Sequence, residues 1–528
     1  MNLRYHRQDA YPSNGPSMPH TIEALLAAHP DAAPAIGAAE QPWLTYGGLR
    51  ALTASTRAAL GAAGVGRGDR VAIVLPNGPE MASAFIAIAQ SATTAPLNPA
   101  YRTDEFDFYL SDLKAKAVVL PAGYDGAARE AAARHGLVVL RLASGAEAGA
   151  FTLTPETAAP GATDGARPGP DDVALILHTS GTTSRPKIVP LLQRNVAASA
   201  RHIGATLALT PEDRCLNVMP LFHIHGLIAA VASSLAAGAS IWCAPGFDAL
   251  KFFGWLDAVR PSWYTAVPTM HQAILSRAPR NAGIVANARL RLIRSSSASL
   301  PPQVMLALTD TFGAPVIESY GMTEAAHQMT SNPLPPRARK PGSVGLAAGP
   351  EVRVAHEVDQ HLLPMDAVGE IVISGPNVTP GYEGDPEANA RNFFVADGKR
   401  WFRTGDQGAF DAEGYLSLTG RLKEIINRGG EKVSPLEVDA VLMDHPAVAQ
   451  VVTFALPHPK LGEEVAAAVV LREGHGATDK DIRAFAAERL ADFKVPRRVI
   501  ILDEIPKGAT GKLQRIGLAG KLGLVTDA

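Results

Sequence analysis

The sequence predicts an α/β protein: a large N-terminal domain of sheets layered with helices, followed by a small α+β domain. Three observations predict it. Short β-branched runs such as VAIVLP (71–76), VALILH (173–178) and EIVISG (370–375) alternate with Ala- and Leu-rich stretches such as PEMASAFIAIAQSA (79–92), the pattern of mostly parallel sheets covered by helices. The chain has 528 residues, more than one ordinary core holds. From about residue 422 a compact tail carries its own helix–strand–strand–helix order, with SPLEVDAVLMDH, AQVVTFALP, AAAVVLRE and DKDIRAFAAERLADF. The expected domains are therefore 1–421 and 422–528.

In chain order, the apolar runs up to residue 142 supply the first sheet and its helices. Residues 143–172 are rich in Ala, Gly and Pro without periodicity and read as a loop leading into the strong strand at 173–178. No repeat of solenoid or propeller period is present.

Composition narrows the function. Charged residues make up 19% of the chain and the formal net charge is −2, so no basic surplus attracts nucleic acid or an anionic membrane. The two cysteines, Cys215 and Cys243, belong to no CxxC or Cys/His cluster, which fits a reducing compartment and gives zinc no home. The N-terminus lacks an apolar signal core, no run reaches about 18 uninterrupted apolar residues, and VTDA is not a peroxisomal tripeptide. The expectation is a soluble cytoplasmic protein with small-molecule partners and no membrane or nucleic-acid partner.

After the 173–178 strand comes HTSGTTSRPKIVP. Thr179, Ser180, Thr182 and Thr183 offer hydroxyls, Gly181 lets the backbone curl so that amides converge, and Lys187 adds positive charge. Such a nest suits a polyphosphate. It is not a Walker A loop, because Pro186 precedes the lysine and Ile188 follows it.

TSGTTSRPK resembles the phosphate-loop signature of the adenylate-forming superfamily of acyl-CoA synthetases, luciferases and peptide-synthetase adenylation domains. ESYGMTE (318–324), WFRTGD (401–406), YLSLTGRLKEIINRGGEKVSPLEVD (415–439) and PKGATGKLQR (506–515) follow in the expected order, so the resemblance spans nearly the whole chain. Ser184 and Ile188 stand where many members carry glycine. The resemblance implies ATP, Mg²⁺ and CoA as cofactor and co-substrates, and an acid activated as its adenylate. Glu324 would hold Mg²⁺ beside the ATP phosphates, with Thr323 at the same phosphates. Glu318, Ser319, Tyr320 and Gly321 would form the adenine wall, Asp406 would take the ribose hydroxyls, and Arg421 would make a second nucleotide contact. Lys512 would reach the acid's carboxylate and the α-phosphate. The small domain would be mobile, turning about a hinge at Lys423 to bring Gly429 and Gly430 to the pantetheine path.

Three stretches bear on the acid. PLFHIHG (220–226), if extended, puts His223 and His225 on one side, and by resemblance His223 is the gate beside the carboxylate. RSSSASL (294–300) offers several hydroxyls, Ser297 among them, at a position shared by substrate and nucleotide. TEAAHQM (323–329), if helical, puts Glu324 and His327 on one face. A row of serines and a histidine suits a polar acid, because each buried polar group left unpaired costs about 1–3 kcal/mol. A second carboxylate would use these donors and raise a neighbouring histidine's pKa toward the imidazolium form. The combination of HTSGTTSRPK, PLFHIHG, TEAAHQMTSNPLP and INRGGEKVSP resembles most the ligases that join oxalate to CoA, with malonate or another short acid, or a non-catalytic nucleotide binder, as alternatives. A metal oxidase built on Glu-x-x-His needs a second such motif, and of the 15 histidines only His327 has an acid three residues before it.

Overall fold

The computed structural model describes residues 19–156, 163, 165–179 and 186–524. The phosphate-loop residues Ser180, Gly181, Thr182 and Thr183 lie outside the described residues.

Two large sheets carry the N-terminal domain. The first has seven strands, ordered Phe151–Pro155, Val138–Ser144, Ala117–Pro121, Arg70–Ile73, Thr93–Pro96, Val173–Thr179 and Lys187–Leu192. The second has nine, with six parallel strands (Pro34–Gly37, Ser240–Cys243, Arg214–Asn217, Trp263–Ala266, Leu292–Ser296 and Val316–Met322) followed by the antiparallel strands His327–Ser331 and Leu346–Ala347. Three helices, Tyr46–Ala62, Pro79–Ala89 and Gln193–Thr206, touch strands of both sheets. The middle one begins with Pro79, whose missing N–H would lack a helical partner anyway, and every residue but Glu80 is buried. A helix that is apolar and small all round is what a position between two sheets requires.

The third sheet joins Glu351–Ala355, Gly369–Ser374, Lys399–Phe410, Phe393–Ala396 and Leu416–Arg421. Its last strand ends at Arg421, and the next strand, Ile426–Arg428, belongs to a separate C-terminal sheet with its own apolar core around Val438, Leu442, Val465 and Ile482. Ser434 caps the helix Pro435–Met443, and a capping box of Thr478 and Asp481 starts Asp479–Ala487. No helix among the described residues is long and apolar enough to cross a membrane.

Three local expectations change. The stretch read as loop contains the strand Phe151–Pro155, paired antiparallel with Val138–Ser144. PLFHIHG is not extended: it makes a turn and enters a π-helix at His225–Ala232. TEAAHQM is not an α-helix: a 3₁₀ turn, Thr323–Ala325, leads to Ala326 at φ 48° and then into the strand His327–Ser331. Met322 and His327 are cross-strand partners, so Glu324 sits in the turn and His327 on the sheet.

That hairpin depends on Gly321, where a Cβ would lie 1.6 Å from the His327 carbonyl oxygen. Gly321→Ala is expected to push the two strands apart, lowering the thermal unfolding midpoint by roughly 5 °C in a calorimetric scan.

Candidate active site

In both large sheets the parallel strands end toward one crevice, the usual place for a ligand in open α/β sheets. Three clusters of side chains meet there.

The first is built on Tyr320, Asp406 and Arg421. Asp406 and Arg421 face each other across neighbouring strands, with Arg421 Nε 3.5 Å from the carboxylate. The Tyr320 hydroxyl donates to Asp406 at 2.5 Å. Burial pushes the Asp406 pKa up, and Arg421 and Tyr320 oppose it. The backbone on either side of Tyr320 is tied elsewhere: the Glu318 carboxylate accepts from Leu300 N at 2.8 Å, and the Ser319 hydroxyl bonds Ser331 at 3.0 Å. Burial alone moves the Glu318 pKa up to about 8, against the Leu300 bond.

The second cluster lies where the chain enters and leaves the phosphate loop. The Tyr382 hydroxyl donates to Glu324 at 2.8 Å, and the Lys187 ammonium sits 4.3 Å from the Tyr382 ring centroid, a cation–π contact. Burial raises the Glu324 pKa, with the Tyr382 bond and Lys187 opposing, and burial lowers that of Lys187. Thr179 closes the preceding strand opposite Lys187. Thr323, partly exposed, starts the turn that carries Glu324.

The third cluster is polar and buried. His225 Nδ1 lies 3.0 Å from the Ser297 hydroxyl and Nε2 lies 2.6 Å from that of Thr265. Its ring centroid is 5.1 Å from that of His327. Arg294, in register with Thr265 on the adjacent strand, is fully buried. Its Nη2 is 3.5 Å from His327 Nδ1 and 3.3 Å from the Gln328 side-chain oxygen. Nε and Nη1 have no partner among the described residues. Burial draws the Arg294 pKa down to about 9, which leaves it charged at neutral pH.

A guanidinium only donates, so the His327 Nδ1 that faces it accepts, and the proton sits on Nε2. Burial, then Arg294, His223 and Lys512, hold the His327 pKa well below its ordinary value. In the absence of an acid the permanent charge belongs to Arg294 and His327 is a neutral donor; the expected imidazolium concerns the complex with a second carboxylate. His223 is neutral for similar reasons, its pKa lowered to about 3 by burial and by Lys512. His223 Nδ1 accepts from the His225 amide at 3.3 Å.

Lys512 reaches these clusters from the C-terminal sheet's side. Its loop is a tight hairpin, with Gly508 N bonding Lys512 O at 2.8 Å and Gly511 at φ 81°. Thr269 of the large domain donates to Gly511 O at 2.7 Å. Behind the loop, Arg515 ties it to its own domain through Glu424, Asp439 and Thr453 O. Lys512 remains partly exposed along its stem, but its ammonium is crowded: desolvation first, then Arg421, lowers its pKa to about 8. Gly429 and Gly430 form the turn between Ile426–Arg428 and Glu431–Val433 at φ 61° and 96°, so the hairpin itself requires glycine there. Lys423 lies between the third sheet and the C-terminal sheet.

Sequence reasoning missed Arg294, Thr265, Tyr382 and the part His225 plays. The arginine carried a usable signal, an ionic residue inside the strand-like run LRLIRSSS; the other three become visible only through contacts distant in sequence.

The AMP-binding enzyme family matches residues 22–383, and its C-terminal domain family matches 437–512. The chain belongs to the AMP-binding enzyme family. An oxalate–CoA ligase of Arabidopsis thaliana is 48% identical over 461 residues, covering 86% of this chain and 88% of the relative. One of Saccharomyces cerevisiae is 42% identical over 475 residues, covering 85% and 86%. The ATP-bound structure of MatB from Rhodopseudomonas palustris superposes with a TM-score of 0.82 at 30% identity, covering 94% of this chain and 97% of that one. The family's C-terminal domain match ends at Lys512, whose ammonium lies near Arg421 and His223.

With its pKa at about 8, Lys512 is charged at neutral pH and loses its proton as pH rises past that value. The free enzyme's kcat/KM for acid-dependent pyrophosphate release is expected to fall above about pH 8. At saturating ATP and acid, kcat should hold to higher pH, because bound anions favour the ammonium. Lys512→Ala should cost about a hundredfold or more at pH 7. A profile flat to pH 10 in wild type would separate Lys512 from the reaction.

Proposed function

We propose that the chain is an ATP-dependent oxalate–CoA ligase that forms oxalyl-AMP and transfers the oxalyl group to CoA. The observation that carries this reading is the fully buried Arg294 with two unpartnered guanidinium atoms. A buried unpaired cation is strongly unfavourable, and its unpartnered N–H groups can donate charge-assisted hydrogen bonds to a carboxylate. His327, His225 and Ser297 stand beside it. A monocarboxylic fatty or aryl acid would leave this charge desolvated and unpaired. A small dianion answers it with the carboxylate that does not react, and the oxalate–CoA ligases at 42–48% identity agree.

In the proposed reaction the free carboxylate of oxalate attacks the α-phosphorus of ATP and pyrophosphate leaves. Lys512 sits where charge develops on the attacking oxygen and the phosphorus, and His223 Nε2–H donates toward the same carboxylate. Tyr320, Asp406 and Arg421 hold the nucleoside, and Lys187 and Thr179 flank the triphosphate. Glu324 has one oxygen on Tyr382 and a second for a hard cation, a donor set that fits Mg²⁺ alongside phosphate oxygens and water. Bound there, Mg²⁺ would neutralise the triphosphate and orient it for in-line displacement. For the thiol step the small domain, 422–528, would turn about Lys423, withdrawing Lys512 and bringing Gly429 and Gly430 toward the arriving CoA.

A thioester assay across oxalate, malonate, acetate and benzoate tests the substrate. Oxalate should lead; turnover of a monocarboxylate in its place would overturn the reading. Arg294→Gln should lower kcat/KM for oxalate by about 10²–10³ while changing any acetate activity far less. His327→Ala should cost roughly ten- to a thousandfold for oxalate, and unchanged kinetics would take His327 out of the pocket.

A further inference from the structure

A narrow cleft beside the active site is lined by Tyr101, Tyr109, His178, Phe222, His223 and Thr323 among others. It reaches His223 and Thr323, against which an acyl-adenylate would lie, yet none of Tyr320, Asp406, Arg421, Arg294 or His327 lines it. It is thus a second approach to the reacting carbonyl, separate from the nucleotide and acid clusters. Within it stands an ion-pair geometry that adenylation does not use: His178 Nε2 is 3.1 Å from Asp112 Oδ2, and both side chains are nearly buried.

The carboxylate only accepts, so Nε2 carries the proton and Nδ1 is left as the basic atom. This is the arrangement in which an acidic group orients a histidine as a general base. Tyr109 meets the imidazole edge-on at 4.7 Å, and Tyr101 stacks on Tyr109 at 4.8 Å, an aromatic wall that fixes the ring and lines a path for a thin chain. Among the described residues, Tyr101, Tyr109, His223 and Thr323 line the cleft beside His178. Asp112 and Tyr109 come from the helix Thr103–Asp112, Tyr101 from the loop before it, and His223 and Thr323 from across the cleft. The Lys187 ammonium lies over the Tyr382 ring, 4.3 Å from its centroid. His223 is a poor alternative base, because its Nδ1 already accepts from the His225 amide and it lies near Lys512.

Resting on the CoA-ligase reading above, we infer that the His178–Asp112 pair is the general base of the thiol half-reaction. As the sulfur attacks the acyl-adenylate carbonyl, the S–H proton passes to His178 Nδ1. The S–C bond forms, the C–O bond to the phosphate breaks, and AMP leaves with the electron pair. His178 then releases its proton to water through the cleft. A thiol with a pKa of about 8.5 is only a few per cent ionised at pH 7, so a base has work to do there. Burial lowers the His178 pKa while Asp112 opposes it, which keeps the ring neutral and able to accept at that pH.

The test is single-turnover transfer. Enzyme, ATP and an acid that wild type activates are mixed first, CoA is added, and thioester formation is compared with pyrophosphate release in the same sample. Wild-type transfer should stay nearly level between pH 7 and 8, whereas an unassisted thiolate mechanism would rise about tenfold. In His178→Gln the ratio of transfer to adenylation should fall about a hundredfold at pH 7, and the deficit should shrink toward pH 9 as thiolate forms unaided. Asp112→Asn should move the same ratio in the same direction. A tenfold rise with pH in wild type overturns the proposal without any variant. So does a deficit equal at pH 7 and 9, or parallel loss of both half-reactions. Wild type that releases no pyrophosphate with any acid would instead fail the ligase reading.

Discussion

Positive charge gathered in one crevice is the constraint on which this active site depends. The protein's formal net charge is −2, yet Arg294, Lys187, Arg421 and Lys512 converge on one crevice. The carboxylates among them are Asp406 and Glu324, both with pKa values raised by burial. Two of the cations show the strain of that crowding: burial lowers Lys187, and burial with Arg421 lowers Lys512. A pocket so biased is unfavourable when empty and becomes neutral when a polyanion fills it. An acid and a triphosphate supply that charge, and without such a field their mutual repulsion would keep them apart.

The sheets explain how the cations can be held there. Arg294 occupies a central strand whose flanking residues, Ile293 and Ser295, are fully buried. The strand's hydrogen bonds on both sides fix the backbone, so the guanidinium's position follows from register with Thr265 rather than from its own flexible stem. The antiparallel hairpin of Val316–Met322 and His327–Ser331 then delivers His327 to the same spot, and Glu324 to a different one. Lys512 is the exception. It arrives on a loop of the other domain, held to the large domain by Thr269 and to its own by Arg515, which suits a charge needed in one half-reaction and in the way during the next.

What the sequence made legible was local. Buried parallel strands read as continuous apolar runs, and the Ala-rich stretch from Pro79 read as the helix it forms. What it hid was decided at long range. EAAH has good helix formers at helical spacing, but Gly321 pressed against the His327 carbonyl, together with the left-handed Ala326, makes a hairpin instead. HIHG alternates like a strand and folds as a π-helix, which turns His225 toward Ser297 and Thr265. RSSSASL was informative for its hydroxyls, whereas its first residue is the buried cation, and only Thr265, His327 and Gln328, far away in the chain, reveal that.

The neutral histidines sharpen the case for a dianion. Had His225 and His327 been charged beside Arg294, the pocket would hold three cations and bind its product as tightly as its substrate. Kept neutral by burial, each presents one N–H and one acceptor, so direction matters: Arg294 supplies charge, and the imidazoles orient the anion. The same division would recur at the reacting carboxylate in the proposed reaction, with Lys512 carrying the charge and His223 the oriented hydrogen. On the proposed reading, specificity for a short diacid comes from one fixed charge, Arg294.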